Sequence, residues 1–191
     1  MPSDRLPFVL ASASPRRREL LRELVPEFEA VSPDVDETPE TESPAACAER
    51  LALLKARRGL EMRPGSLVLG GDTVVWLEGT GMLGKPTDEA DALKILMTLS
   101  GKEHSVFTGI ALVWPGGERS FVVESRVRFR TFAEDEARAF VATGEPMDKA
   151  GAYGYQGAGR DLVEGVDGSE SNVIGLPMER LREELAALNR S

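Results

Sequence analysis

The sequence predicts a single α/β domain built on a mixed β-sheet. Apolar runs typical of strands alternate along the chain with segments whose apolar residues recur every three or four positions, the spacing of amphipathic helices. Residues 103–114 and 119–132 flank a Pro-Gly-Gly sequence and indicate a hairpin, which adds an antiparallel pair to that alternation. With 191 residues, 41% of them hydrophobic, the chain can bury a large core, and no repeat or linker divides it. We therefore expect one domain over residues 1–191.

The first strand and the first helix meet at a serine turn. Residues 6–12 form an apolar run that predicts a strand, and the helix after it is expected to reach about Leu24. Ser14 suits the N-cap, because its hydroxyl can accept a bond from the first turn, and Pro15 has the φ angle of a first helical residue. A long polar loop, residues 32–44, follows and is long enough for a role in binding.

The middle of the chain predicts a second helix, a buried strand and a third helix. The second helix is expected to end near Gly59 or soon after, and the strand over residues 66–79 to be broken by Gly70 and Gly71. A short strand precedes the third helix, for which Thr87 is the expected cap. The apolar positions of the two helices are Cys47, Leu51, Leu54, Ala92, Ile95, Leu96 and Leu99.

The last part of the chain predicts a half-buried strand and two helices around a glycine-rich segment. The strand after the hairpin turn alternates apolar with charged residues, so one of its faces should be buried. A helix over residues 134–143 and the glycine-rich residues 149–177 follow, and then a closing amphipathic helix. The alternating residues are Phe121, Val123, Val127 and Phe129 against Glu124, Arg126, Arg128 and Arg130, and the closing helix is built on Leu181, Leu185 and Leu188.

Charge and composition argue against several classes of function. Asp and Glu number 32 against 23 Lys and Arg, a formal net charge of -9, so the field repels nucleic acid and any polyanion must be bound locally. No apolar run approaches the roughly 20 residues of a membrane span. Cys47 is the only cysteine, so no disulfide can form within the chain, and no signal-peptide pattern is present. We expect a cytoplasmic protein without nucleic-acid or membrane partners. His104, the only histidine, is expected to be structural, which argues against imidazole catalysis.

The sequence SASPRRRELL, residues 12–21, has the ingredients of a phosphate site. A serine turn ahead of a helix presents free N–H groups and the positive end of the helix dipole. Arg16 and Arg17 would add a charge-assisted clamp for a polyanion, whereas Arg18 has the weakest claim. The alternative is a solvated basic patch balanced by the acidic residues of the same helix.

Carboxylates that suit a divalent metal occur at two places. Asp72 follows two glycines at the predicted end of an apolar strand, where it could coordinate a metal or accept a proton from water. The alternative for Asp72 is a turn cap. Asp34, Asp36 and Glu37 in the long loop are candidates for a second metal contact.

Two lysines, a glutamine and a threonine complete the candidate set. Lys85 lies in a Gly-Lys-Pro turn, and Lys55 interrupts an apolar helix, from which it could snorkel to a site. Gln156 lies among glycines, and its amide offers the donor and the acceptor that a pyrimidine edge requires. Thr73 offers a hydroxyl beside Asp72. The alternatives are surface lysines, a solvated glutamine and an ordinary strand threonine. Together these cations and carboxylates suit a triphosphate with its metal.

Six motifs, taken in order along the chain, resemble those of the Maf proteins, a family of nucleotide pyrophosphatases associated with septum formation. The motifs are LASASPRRRELL, GGDTVV, GKP, LSGKEHSVFTGIAL, DKAGAYGYQGAG and GSESNVIGLP, and the similarity runs from about Leu10 to Leu181. Each motif alone is weak evidence, but all of them in the family's order argue strongly against chance.

The resemblance implies a fold similar to that of the inosine-triphosphate pyrophosphatases, an elongated mixed sheet flanked by helices with two lobes around a cleft. It also implies hydrolysis of a nucleoside triphosphate to the monophosphate and pyrophosphate, by metal-assisted attack of water on the α-phosphate with Mg²⁺ or Mn²⁺. DTVV and AGAYGYQG are similar to the branch of the family that acts on dTTP and UTP, with modified pyrimidine nucleotides as a further candidate class. A homodimer is implied as well.

The resemblance also assigns roles to individual positions. Asp72 corresponds to the proton acceptor or metal-binding acid, and Glu37 to a second metal-binding residue. Arg16, Thr73 and Gln156 match the positions that select the substrate. The positions that match the lining of the phosphate and metal site are Ser12, Arg17, Glu37, Lys55 and Lys85.

A different class of function fits part of the same pattern. A non-enzymatic, nucleotide-binding regulator of cell division and septum formation could use the acidic loop over residues 32–44 for contacts with a partner. The arginine face of Arg126, Arg128 and Arg130 could serve the same purpose. Release of pyrophosphate distinguishes the enzyme from this alternative.

Overall fold

A seven-stranded mixed sheet flanked by helices organises the residues that the computed structural model describes, 6–38 and 40–188. The strands are β1 (Phe8–Ala11), β2 (Glu29–Val31), β3 (Leu67–Leu77), β4 (Gly81–Leu83), β5 (Glu103–Trp114), β6 (Gly117–Phe129) and β7 (Val163–Asp167). The α-helices are α1 (Pro15–Arg22), α2 (Pro44–Met62), α3 (Glu89–Leu99), α4 (Glu134–Val141), α5 (Glu170–Ile174) and α6 (Met178–Leu188). Three short 3-10 helices cover Glu145–Asp148, Ala150–Ala152 and Gly157–Leu162.

The strand order is β2-β1-β3-β5-β6-β7, with β4 paired to β3 outside this path. β1 runs parallel to β2 and β3, whereas β4 is antiparallel to β3 and β7 is antiparallel to β6. The predicted α/β fold with a mixed sheet is therefore confirmed. Ala11, the last residue of β1, pairs with Gly70 of β3, so the serine turn that follows β1 begins level with the Gly70–Asp72 segment.

The chain divides into two compact units. The first contains the described residues of Met1–Asp72, Thr108–Val123 and Gly175–Ser191, and the second contains Thr73–Phe107 and Glu124–Ile174. The single domain expected over residues 1–191, and a cleft between two lobes, stay predictions.

The first unit has an apolar cluster on each face of its part of the sheet. Along β1, Val9 and Ala11 join the cluster that includes α2, and Leu10 joins the cluster that includes α1 and α6. This alternation follows from the two-residue period of a strand, and a strand covered on both faces needs apolar residues throughout. β1 is therefore rigidly packed on both faces where it leads into the serine turn.

Helix α2 lies unusually close to the sheet. Ala48, Ala52 and Ala56 recur every four residues and are fully buried, which gives the helix a face of methyl groups. A Cβ atom added at Gly70 of β3 would lie 2.3 Å from the backbone oxygen of Ala52, and one added at Gly109 of β5 would lie 2.3 Å from that of Ala48. Only glycine allows this approach. The close contact fixes the position of α2, and with it the start of each of its side chains, relative to β3 and β5.

The second unit has its own core around His104. This side chain is 3% exposed, its Nε2 lies 2.7 Å from the hydroxyl of Tyr153, and both rings pack edge-on against Phe129. Burial lowers the pKa of His104 to about 4, so its imidazole is neutral at pH 7. The histidine is part of the core, and this placement agrees with the structural role expected for it.

Most predicted elements are present, but several details differ, and strand β7 and helix α5 were not predicted. Ser14 caps α1 as expected, because its hydroxyl accepts a bond from the Arg17 N–H, although the helix ends at Arg22. Asp88, and not Thr87, caps α3: the Asp88 carboxylate accepts a bond from Asp91 N–H at 2.8 Å. The short strand β2 was not predicted.

The predicted break at Gly70 and Gly71 is wrong, since β3 is continuous. Neither glycine has a positive φ, and both are extended residues of the strand. The glycines make room for neighbouring groups instead of turning the chain. Asp72 consequently lies inside β3 and not at its end.

Substitution of Gly70 by Ala is expected to lower the free energy of unfolding by about 1 to 3 kcal/mol or more, because the new methyl group would overlap the α2 backbone. The measurement is chemical denaturation of the purified variant. Gly84→Ala is the matched control, because a Cβ atom there would meet no atom within 4 Å. Equal stability of the two variants would contradict the close packing of α2 on β3.

Candidate active site

A buried lysine joins two of the predicted acids in the first unit. The Nζ atom of Lys55 lies 2.6 Å from Oδ1 of Asp72 and 2.7 Å from Oε1 of Glu37. The side chains of Lys55 and Asp72 are only 11% and 13% exposed, and that of Glu37 is 50% exposed. A buried ammonium group is unfavourable unless carboxylates pair with it, so the three groups form one electrostatic unit.

The backbone explains why these groups meet. Lys55 lies on α2 directly before Ala56, one of the residues that touch Gly70, and Asp72 lies two residues beyond Gly70 in β3. The close contact of helix and strand therefore keeps the ammonium group beside the Asp72 carboxylate. Glu37 reaches the same point from the long loop before α2.

The two carboxylates are also suited to a divalent metal. Both place an oxygen next to one point in space, the position of the Lys55 Nζ atom, and hard cations such as Mg²⁺ prefer oxygen ligands. Mg²⁺ commonly binds one or two protein carboxylates together with substrate phosphates and water. Within residues 6–38 and 40–188 no group of three or more His, Cys, Asp or Glu forms a cation site.

Arg17 is held in a fixed orientation next to this cluster. Its Nε donates to the carbonyl oxygen of Gly175 at 2.8 Å, and its Nη1 donates to the Ser12 hydroxyl at 3.3 Å. The same Ser12 hydroxyl accepts a bond from Ser14 N–H at 3.2 Å, so the serine turn and the guanidinium group form one hydrogen-bonded unit. Ser12 is buried, at 6% exposure.

The electrostatics connect Arg17 to the acids. Burial lowers the pKa of the Arg17 guanidinium, the negative charge of Asp72 is the largest effect that raises it, and the positive charge of Arg16 lowers it again. A Cβ atom added at Gly71 would lie 3.2 Å from Arg17 Nε, so this glycine provides the space that the arginine occupies beside β3. The structure thus brings together five predicted site residues, which are Ser12, Arg17, Glu37, Lys55 and Asp72. Arg16 lies within electrostatic reach of Arg17.

Three predicted residues belong to the second unit. Thr73 follows Asp72 in β3 and is half-buried, Lys85 is exposed after β4, and Gln156 is exposed directly before the 3-10 helix Gly157–Leu162. Their part in substrate binding stays a prediction.

The remaining candidates have other surroundings. Asp34 is exposed. Asp36 accepts a hydrogen bond from Thr38 N–H at 2.9 Å, and hydrogen bonding from the Thr38 side chain and then from this N–H lowers the pKa of Asp36, which makes it part of the loop's own structure. Arg18 lines a separate open cavity of about 490 Å³ with Arg22. Glu37 is therefore the loop acid that pairs with Lys55.

Two residues that hold predicted site residues or their backbone in place were not found by sequence reasoning. The carbonyl of Gly175 orients Arg17 from 158 residues away, and the Glu145 carboxylate accepts bonds from the backbone just after Gln156. A backbone carbonyl has no side-chain pattern, and Glu145 is one acid among many in an acidic chain. Neither could be identified without the fold.

Comparisons with known proteins identify the family of the chain. The family model for the Maf-like protein matches residues 7–188. The chain is 42% identical over 187 residues to a protein of Dictyoglomus thermophilum, with 96% of each chain covered, and 47% identical over 192 residues to one of Myxococcus xanthus, with 100% of this chain and 95% of the other covered. A protein of Symbiobacterium thermophilum is 47% identical over 173 residues, with 90% and 89% covered. All three relatives are named dTTP/UTP pyrophosphatase.

A solved structure shows the same fold at low sequence identity. The Ham1 protein of Staphylococcus aureus superposes with a TM-score of 0.58 at 16% identity, covering 95% of this chain and 98% of Ham1. The family match extends from the first strand to the last helix and includes every residue of the Lys55 cluster and the Arg17 turn. The chain therefore belongs to the Maf-like protein family.

Proposed function

We propose that this protein is a nucleoside triphosphate pyrophosphatase that hydrolyses dTTP and UTP to the monophosphate and pyrophosphate. The observation that carries the proposal is the buried Lys55 ammonium group between Glu37 and Asp72, next to a fixed Arg17. Such a mixture of oriented cations and carboxylates suits a phosphate chain and its metal. The dTTP/UTP pyrophosphatase name of relatives 42% to 47% identical to the chain supports the substrate.

In this proposal the cations bind the phosphate chain. Arg17, held by Gly175 and Ser12, presents an oriented guanidinium charge to the phosphates, and the N-terminal end of α1 adds backbone donors and a positive dipole. Arg16, Lys55 and Lys85 are the other cations assigned to the triphosphate. Charge-assisted bonds of this kind neutralise the substrate before water attacks.

Asp72 and Glu37 are the residues that would hold Mg²⁺ or Mn²⁺. When bound, the metal would neutralise phosphate charge and help to polarise the attacking water.

The chemical step needs one base and one stabilised leaving group. The oxygen of a water molecule attacks the α-phosphorus, one of its protons passes to the Asp72 carboxylate, and the bond between the α-phosphorus and the bridging oxygen breaks. Pyrophosphate leaves with the bonding electrons, and Arg16, Arg17 and Lys55 stabilise its charge. No covalent intermediate is needed.

Base selection is assigned to Gln156 and Thr73. Thymine and uracil present a carbonyl beside an N–H group, which a glutamine amide can pair with as donor and acceptor together. Cytosine presents an amino group and an unprotonated ring nitrogen at that edge, so an amide held in the orientation that pairs with uracil would face donor with donor and acceptor with acceptor, a loss that strongly disfavours the wrong substrate. Modified pyrimidines that keep the uracil edge are substrates in the same proposal.

The setting of the reaction is also part of the proposal. Within the described residues, no helix has both the length and the apolar character to cross a bilayer. We place the protein in the cytoplasm, where the nucleotides are. Burial raises the pKa of the lone Cys47 thiol to about 11, so this thiol is unreactive there. The homodimer stays a prediction. The alternative function is a nucleotide-binding role in septum formation without catalysis.

A panel of five nucleotides tests reaction, base and metal together. With Mg²⁺ or Mn²⁺, dTTP and UTP are expected to release pyrophosphate well ahead of dCTP, GTP and ATP, and a chelator should abolish the release. The measurement is pyrophosphate production over time. No pyrophosphate from any nucleotide would favour the non-enzymatic regulator, and equal rates across the panel would remove Gln156 from base selection.

Asp72→Asn keeps the shape of the side chain but removes its charge and its ability to accept a proton. We expect kcat for dTTP to fall by about a hundredfold or more. Asp135→Asn makes the same chemical change at an exposed residue of α4 and should retain full activity. Unchanged turnover by the Asp72 variant would contradict its assignment.

A further inference from the structure

Glu145 fastens the loop that carries Gln156. Its Oε2 accepts a hydrogen bond from Ala158 N–H at 3.1 Å, and its Oε1 accepts one from Gly159 N–H at 3.2 Å. Both oxygens of one carboxylate are thus bound to consecutive backbone groups, 13 and 14 residues further along the chain. Hydrogen bonds to a charged acceptor are stronger than neutral ones, so this contact fixes the loop firmly.

These bonds replace the usual helix cap. The 3-10 helix Gly157–Leu162 begins directly after Gln156, and the first N–H groups of any helix lack partners within it. Gln156 occupies the N-cap position but makes no capping bond with its side chain. Because Glu145 satisfies those N–H groups instead, the amide of Gln156 is not needed for the cap.

Gly157 makes the approach of the carboxylate possible. Its φ is +74°, a conformation that favours glycine, and an added Cβ atom would lie 2.9 Å from Oε2 of Glu145. The carboxylate therefore lies against the backbone of the residue next to Gln156. The direction in which Gln156 leaves the main chain depends on this contact.

The other side of Gln156 is fixed as well. Tyr155 is 8% exposed, and its hydroxyl donates to Oε1 of Glu170 at 2.5 Å. The guanidinium group of Arg160 lies 4.7 Å from the centre of the Tyr155 ring and donates to the Val163 carbonyl at 3.1 Å. Fixed neighbours on both sides restrain the main chain of Gln156, so its backbone loses little freedom when the amide binds, which favours discrimination between similar ligands.

We propose that Glu145 is a positioning residue for base selection: it sets the orientation of Gln156 without touching the nucleotide. This inference rests on the proposed role of Gln156 in reading the pyrimidine edge. A shift of about 1 Å in a positioning group can cost about a hundredfold in rate. Because the group displaced here is the one proposed to read the base, removal of the Glu145 carboxylate should act first on the selectivity between nucleotides.

The test compares Glu145→Ala with the wild-type protein. The ratio of kcat/KM for dTTP to that for dCTP is expected to fall by at least about tenfold, and the Ala158 and Gly159 amides should exchange hydrogen faster. In a Gln156→Ala background the same substitution should have no further effect on the ratio, because Glu145 acts through Gln156. Glu134→Ala, which removes an exposed glutamate that pairs with Arg138 in α4, is the control and should leave the ratio unchanged.

Two results would overturn the proposal. One is an unchanged nucleotide ratio in Glu145→Ala, and the other is a loss in the double variant that equals the sum of the single losses. Glu145→Gln keeps the size of the side chain with one acceptor oxygen, so it should lose part of the selectivity, and it decides the question if the alanine variant does not fold. A wild-type protein without preference for dTTP contradicts the proposed function itself, whereas a preference that survives in both Glu145 variants contradicts only the role of Glu145.

Discussion

The pairing of the Lys55 ammonium group with Asp72 and Glu37 is the interaction on which the rest of the candidate site depends. Removing an ammonium group from water costs several kcal/mol unless carboxylates and hydrogen bonds compensate. Asp72 and Glu37 provide this compensation, and the packing of an alanine face of α2 against glycines of β3 and β5 keeps the Lys55 backbone close to Asp72. The close contact in the core and the charges of the site are therefore one arrangement, and a change in either affects both.

The run of three arginines at the start of α1 has a physical explanation in the same arrangement. Positive charge at a helix N-terminus is unfavourable by itself, because it adds to the positive end of the dipole. Arg17 is compensated by the Gly175 carbonyl, the Ser12 hydroxyl and the charge of Asp72. Arg16 lies within electrostatic reach of Arg17, and Arg18 lines a different cavity. An anionic substrate bound next to these arginines would reduce their mutual repulsion and so stabilise the arrangement.

Features that depend on neighbouring residues could be predicted from the sequence. The Ser14 cap, the apolar spacing of the helices and the alternation over residues 124–129 of β6 are of this kind, and the structure agrees with them, whereas Phe121 and Val123 are only half-buried. Features that depend on contacts distant in the sequence were missed or wrong. Two glycines in a row predicted a break in β3, because a sequence does not show that a helix would lie against them. The carbonyl of Gly175 and the carboxylate of Glu145 were missed for the same reason.

The central claim is that these residues direct water to the α-phosphorus of a bound triphosphate, and isotope labelling tests it most directly. The wild-type protein would hydrolyse dTTP in water enriched in oxygen-18, and both products would be analysed by mass spectrometry. The account predicts that the label is found in the monophosphate and that the pyrophosphate is unlabelled. Label in the pyrophosphate would show attack on the β-phosphorus and would contradict the account.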